Sequence, residues 1–153
     1  MDVEGEVLVP APPDEVWRRL TDAAILARCI PGCERMVRVA EHRYEAEIHV
    51  RYGPVHASFR TDIALTEVDA PHSYVLSGHG HGGLAGVGEG RAAMRLAAVR
   101  GGTAVGYSAW LTAGGTLGKL GSRLLGGTTR KLIERFFSTF LATFEDGDRL
   151  RAE

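Results

Sequence analysis

The chain of 153 residues contains no asparagine and no glutamine, an absence met both in thermostable proteins and in genes of biased codon composition. It has two cysteines, Cys29 and Cys33, with Ile30, Pro31 and Gly32 between them. Two ligands fall short of a structural zinc site, and a disulfide is not expected in a reducing compartment, so both read as small buried hydrophobes. No apolar run approaches the ~20 residues that a membrane-spanning helix needs. The acidic, alternating start MDVEGEVLVP does not read as a secretory signal. A cytoplasmic protein is the expectation. Neither charge sign dominates: 18 basic residues face 19 acidic ones, with a pI near 6.6, which argues against nucleic acid as a partner. The length fits one domain, residues 1–153, large enough to hold a core and an internal cavity.

What the chain has in quantity is glycine, 20 residues. Seven fall in the thirteen positions of GHGHGGLAGVGEG, residues 78–90. Gly78, Gly80, Gly82, Gly86, Gly88 and Gly90 share even parity, and only Gly83 is odd. Alternate residues of a strand share a face. A hairpin folded about Leu84 would set Gly80 opposite Gly88 and Gly78 opposite Gly90, leaving one face bare. Ala92, Met94 and Leu96 continue that parity, so the bare face is the inner one. Such a face admits close backbone approach or leaves room for a ligand. A phosphate loop is excluded by context, because no Lys-Ser/Thr follows and no helix begins where one is needed. His79 and His81, with Glu89 opposite, are the weak candidates for a metal. On an outward face they read as a solvated cross-strand cluster, and no metal is expected.

The surrounding pattern is α+β. EGEVLVP alternates as a strand; Pro12 and Pro13 then end it, and Asp14 and Glu15 suit a first helical turn with Val16, Trp17 and Leu20 on one face. A second short helix, AAILARCI, stops at Pro31-Gly32, a pair suited to a type II turn. From Glu34 to Thr112 the period is two, in an antiparallel meander. Tyr44, Ala46, Ile48 and Val50 form one face of RYEAEIHVRY, and Val55, Ala57, Phe59, Ile63 and Leu65 one face of VHASFRTDIALTEVD. The last third reads as one long helix, or two joined at Gly126-Gly127. Leu117, Leu120, Leu124 and Leu125 point about 150° away from the row containing Phe136, Phe137, Phe140 and Phe144, so a bend or a separate contact surface is expected.

The inward polar groups are Tyr44, Thr61, Tyr74 and Tyr107, without Asp, Glu, His or Lys at central strand positions. That excludes the usual acid–base groups and suits an apolar ligand oriented by hydroxyls. The expected lining adds Ile48, Phe59, Leu76 and Met94 from strands. Gly80 and Gly88 come from the hairpin, and Leu120, Leu124 and Phe136 from the last helix. No catalytic residue is assigned. Two other readings stay open: a cavity enzyme such as a cyclase, dehydratase or hydrolase, which would need Asp62, His56 or His49 to point inward, and an assembly partner whose glycines and tyrosines merely fill a core.

A strand, two short helices, a strand meander and a long last helix together resemble the helix-grip superfamily (SRPBCC, START and Bet v 1-like). There a curved antiparallel sheet of about seven strands wraps a C-terminal helix. VWRRLTDAAILARCIPGCERM, with Trp17, Asp22, Pro31, Gly32 and Cys33, then Gly53-Pro54, the glycine hairpin and GTLGKLGSRLL…FF resemble the CoxG family of carbon monoxide dehydrogenase components. The resemblance implies a non-catalytic accessory protein of a molybdenum hydroxylase, serving maturation or membrane recruitment. It implies a hydrophobic small molecule, a quinone or lipid, in place of any covalent cofactor. With the chain reading to Glu153, membrane-surface contact is expected to be transient, through the four leucines beside Lys119 and Arg123.

Overall fold

The structure, a computed structural model, describes residues 3–52, 55–114 and 122–152, without the side chains of 52, 55, 122–126 and 146–152. Strand β1 (Val3–Val9) leads to helices α1 (Pro13–Leu20) and α2 (Ala23–Cys29). Strands β2 (Cys33–Ala40), β3 (Arg43–Tyr52), β4 (Val55–Asp69), β5 (Ser73–His81), β6 (Val87–Val99) and β7 (Gly102–Gly114) follow, with a 3₁₀ turn at Gly83–Ala85. Helix α3 (Ser122–Ala152) closes the order. Among the described residues the strands form one antiparallel sheet ordered β1-β7-β6-β5-β4-β3-β2. This is the α+β helix-grip architecture.

Local chemistry sets the helix ends. Pro13 occupies the first turn of α1, where its missing N–H is not needed, and Asp14 and Glu15 face the positive end of the helix dipole. Asp22 caps α2 by accepting the Ile25 N–H at 3.1 Å. The chain then turns through Pro31 and Gly32, the Cys33 N–H reaching the Ile30 carbonyl at 3.1 Å. Gly32 has φ +78°, and a Cβ there would collide with the His49 carbonyl, so only glycine fits this type II turn.

One long helix covers one end of the inner face. Phe137, Phe140 and Phe144 of α3 are buried in a core with Val16 and Leu20 of α1, Leu26 of α2, and Tyr44, Ile63, Leu65, Met94, Leu96 and Val105 of the sheet. Arg19 pins α1 to α3: its guanidinium donates to the Thr143 carbonyl at 2.9 Å, pairs with Glu15 at 2.9 Å and lies 4.1 Å from the Phe144 ring centroid. At the edge of this core Tyr107 stacks on Phe137 at 5.3 Å and lies over Gly5, where a Cβ would collide with the phenol ring.

Of the two readings of the last third, one helix or two joined at Gly126-Gly127, the structure shows the first: α3 runs through the glycine pair as one element, and β7 continues to Gly114. A glycine costs a helix only about 1 kcal/mol, less than the downstream phenylalanine row returns by burial. Leu117 and Leu120 lie outside the described residues, as do the side chains of Leu124 and Leu125.

Phe140 is fully buried and touches both layers, so Phe140→Ala should lower stability by about 3–5 kcal/mol in chemical denaturation. Half-buried Phe136, truncated likewise, should cost clearly less. Equal losses would show that the helix is not seated through this stripe.

Candidate functional site

The hairpin register follows the glycine parity. Gly78 pairs with Gly90 and Gly80 with Gly88, while Thr61 and Ile63 of β4 lie beside Gly80 and Gly78. On the far side Gly90 pairs with Leu111 and Gly88 with Ala113. The result is a shallow inner-face patch whose floor is largely main chain. It separates the main core from a smaller cluster in which Val50, Ala57, Ala85 and Ala113 pack on Phe59.

Crowding does not account for these glycines. A Cβ on Gly88 would meet nothing nearer than 3.9 Å, on Gly78 nothing nearer than 3.8 Å, and on Gly90 nothing nearer than 3.6 Å. Gly80 is tighter, 3.1 Å from the Thr61 hydroxyl. Gly82 differs in kind, because there a Cβ would strike the Phe59 ring at 2.6 Å. Gly78, Gly88 and Gly90 would therefore accept a Cβ at ordinary contact distance, and only Gly80 of the four is held close by a neighbour.

The expected lining divides into three groups. Phe59, Thr61, Gly80 and Gly88 come together at the patch, with Ile48 paired to Phe59 across the sheet. Leu76, Tyr107 and Phe136 are half-buried at the margin of the main core. Tyr44, Tyr74 and Met94 sit inside that core instead. The Tyr44 hydroxyl donates to the Thr21 carbonyl, and the Tyr74 ring meets Trp17 edge-on at 5.0 Å. Burial pushes both phenols above their ordinary pKa. With that hydroxyl occupied, Tyr44 serves the fold, and Thr61 and Tyr107 remain the hydroxyl groups nearest the patch. Leu120 and the side chain of Leu124 fall outside the described residues.

The inward positions of β3 to β7 carry no Asp, Glu, His, Lys or Arg among the described residues. His49, His56 and Asp62 alternate with the inward Ile48, Ala57 and Thr61 and stand on the outer face. The inward acid–base group that a cavity enzyme would require is thus not supplied by these three. Outside, His79 and Glu89 are paired at 3.0 Å, with the His81 ring 4.5 Å from that of His79. Among the described residues no three His, Cys, Asp or Glu side chains converge as a metal site.

The sequence reading missed a second concavity on that outer face, of about 320 Å³, lined by Arg43, Asp62, Ser77, His79, Glu89, Arg91 and Trp110 over a floor of Ala64, Gly78 and Gly90. All seven lining side chains share outward parity, but they come from five strands. Only the cross-strand register could have brought them together.

Neither cysteine is poised as a nucleophile. Burial pushes Cys29 up to about 11, and burial likewise raises Cys33, whose thiol donates to the Arg35 carbonyl at 3.3 Å. A thiol whose pKa is higher folded than unfolded stabilises the fold fully below the unfolded value, and that contribution is lost as pH rises through the folded one. Stability should therefore fall between about pH 9 and 11. Cys29→Ala should flatten the decline, leaving the share due to Tyr44 and Tyr74, as denaturation midpoints across that range would reveal.

The model of the CoxG family, described as the G component of carbon monoxide dehydrogenase, matches residues 5–143. Among solved structures, a conserved protein from Geobacillus kaustophilus is similar with 26% identity and a TM-score of 0.85, over 95% of this chain and 96% of that one. A protein from Rhizobium leguminosarum, at 11% identity and TM-score 0.71, covers 95% of each chain. One from Mycobacterium smegmatis, at 15% and 0.70, covers 95% of this chain and 92% of its own. The last two are likenesses of fold alone. Among curated proteins none matches. No helix among the described residues is long and apolar enough to cross a membrane.

Proposed function

Since the chain belongs to the CoxG family of carbon monoxide dehydrogenase components, we propose that it is a non-catalytic accessory protein of a molybdenum hydroxylase of the carbon monoxide dehydrogenase type, and that it carries a hydrophobic molecule, a quinone or lipid, between sheet and α3. The observation that carries this reading is the register of Gly78 with Gly90 and Gly80 with Gly88, which strips side chains from four paired inner positions although a Cβ would fit at ordinary contact distance on Gly78, Gly88 and Gly90. Phe59 and Ile48 would flank the ligand on one side, and Leu76, Tyr107 and Phe136 on the other. Thr61 would offer a hydroxyl to a polar ligand group. Without an ionisable group on the described inner strands, the chamber suits holding and releasing better than acid–base chemistry.

The hairpin also supports a transient membrane-surface contact. Leu84 at its tip is 99% exposed and Val87 is 37% exposed, an apolar point at the end of the sheet where the glycine patch lies. Loading from a bilayer would then pass close to the patch it fills.

The test is to purify the protein without detergent, incubate it with membranes, and extract it with organic solvent for mass spectrometry. A lipophilic molecule should be recovered near one per chain. Gly88→Val, whose new atoms enter open space, should lower that occupancy severalfold with the fold retained, whereas Leu84→Ser should slow loading and leave final occupancy unchanged. An empty extract from the native protein, or occupancy indifferent to Gly88→Val, would overturn the carrier reading in favour of an assembly partner.

A further inference from the structure

The geometry points to a second binding site, on the outer face of the sheet, for a zwitterionic group that joins a phosphate to a primary amine. The outer concavity of about 320 Å³ is built as two rows of opposite sign. The pairings Arg43–Ala64, Ala64–Ser77, Ser77–Arg91 and Arg91–Trp110 form one row across β3 to β7. Two residues further along the strands, Glu45–Asp62, Asp62–His79, His79–Glu89 and Glu89–Thr112 form the next. The first row presents two guanidinium groups on either side of a serine hydroxyl, with an indole at its end. The second presents the carboxylates of Asp62 and Glu89 on either side of His79, with Glu45 beside Asp62 outside the lining. At 3.3–3.4 Å per residue the rows lie about 7 Å apart, which suits a phosphate and an ammonium group separated by a two-carbon link.

The charges in this concavity are largely uncommitted. The side chains of Arg43 and Asp62 have no hydrogen-bond or ion-pair partner among the described residues. Arg91 touches only Glu67, at 3.9 Å and in the open. Glu89 alone is engaged, to His79. Glu45 and Asp62 stand directly opposite each other, an arrangement of like charges that weakens a strand pair unless a cation relieves it. The amine of the ligand supplies that cation, and the phosphate accepts from Arg43, Arg91 and Ser77, where planar guanidinium donors are most effective. The floor of Ala64, Gly78 and Gly90 admits the ligand between the rows, and Trp110 bounds it.

This site opens on the opposite face of the sheet from the inner patch, meeting it only at Ile63, Gly78 and Gly90, and its test is separate. Calorimetry with O-phosphoethanolamine, inorganic phosphate and ethanolamine should give binding of the first at least tenfold tighter than either half. Asp62→Asn should reduce it to the affinity of phosphate alone, and Arg91→Gln should weaken both phosphate compounds at least tenfold. These exposed positions leave the melting temperature as a check on folding, and Arg43→Gln gives an independent second variant. Equal binding of phosphoethanolamine and phosphate by the native chain, or a preference that survives both Asp62→Asn and Arg91→Gln, would overturn the proposal. Glycerophosphoethanolamine and phosphatidylcholine vesicles with or without phosphatidylethanolamine separate the sources. Binding of the soluble compound alone assigns a free metabolite, and Asp62-dependent vesicle binding that rises with phosphatidylethanolamine assigns the lipid headgroup.

Discussion

A seven-stranded sheet has one long inner face to keep from water, and among the described residues three helices are placed against it. Everything else follows from how that cover is distributed. The apolar load is concentrated where α1, α2 and the phenylalanine row of α3 meet the sheet, and Arg19 locks two of those helices together. Burial of an aromatic side chain there is worth roughly 1.5–3 kcal/mol, so a few such residues hold the assembly. Toward the hairpin end the sheet continues with its side chains withdrawn: Thr61, then glycines, then the small cluster at Phe59.

Strand parity separates the chemistry of the two faces. From β3 to β7 the acidic and basic residues of each strand stand outward and the inward positions are apolar, small or hydroxyl-bearing. One pattern therefore produces both an inner face poor in proton-transfer groups and an outer surface on which charges meet across strands. Among the described residues the inner face of β3 to β7 carries no acidic or basic side chain; the outer face has charge of both signs ordered by the pairing of strands. A slip of one residue in any pairing would exchange the two environments, which is why burial on one side fixes the register so firmly.

Periodicity made the strand faces, the hairpin register and the Pro31-Gly32 turn legible, because each is set by residues adjacent in sequence. Tyr44 and Tyr74 were legible as inward-facing but not as occupied by the core. Their partners, Thr21 and Trp17, arrive on helices remote in sequence, and no periodicity encodes that encounter. The outer concavity was invisible because five strands contribute to it, and only the register places Arg43 in the same row as Arg91 and Trp110.

The energetics of the glycines bear on purpose. A glycine inside a strand costs about 0.5–1 kcal/mol relative to alanine, so Gly78, Gly80, Gly88 and Gly90 together forgo roughly 2–4 kcal/mol. At Gly78, Gly88 and Gly90 alanine would fit at ordinary contact distance, so packing gives no return for that loss. Marginal stability makes several kcal/mol a large concession for a domain of this size. The same chain uses glycine where geometry demands it, at Gly5 beneath Tyr107 and at Gly32 against His49, which shows what a structurally required glycine looks like. Gly78, Gly88 and Gly90 lack that signature, whereas Gly82, whose Cβ would strike the Phe59 ring, carries it.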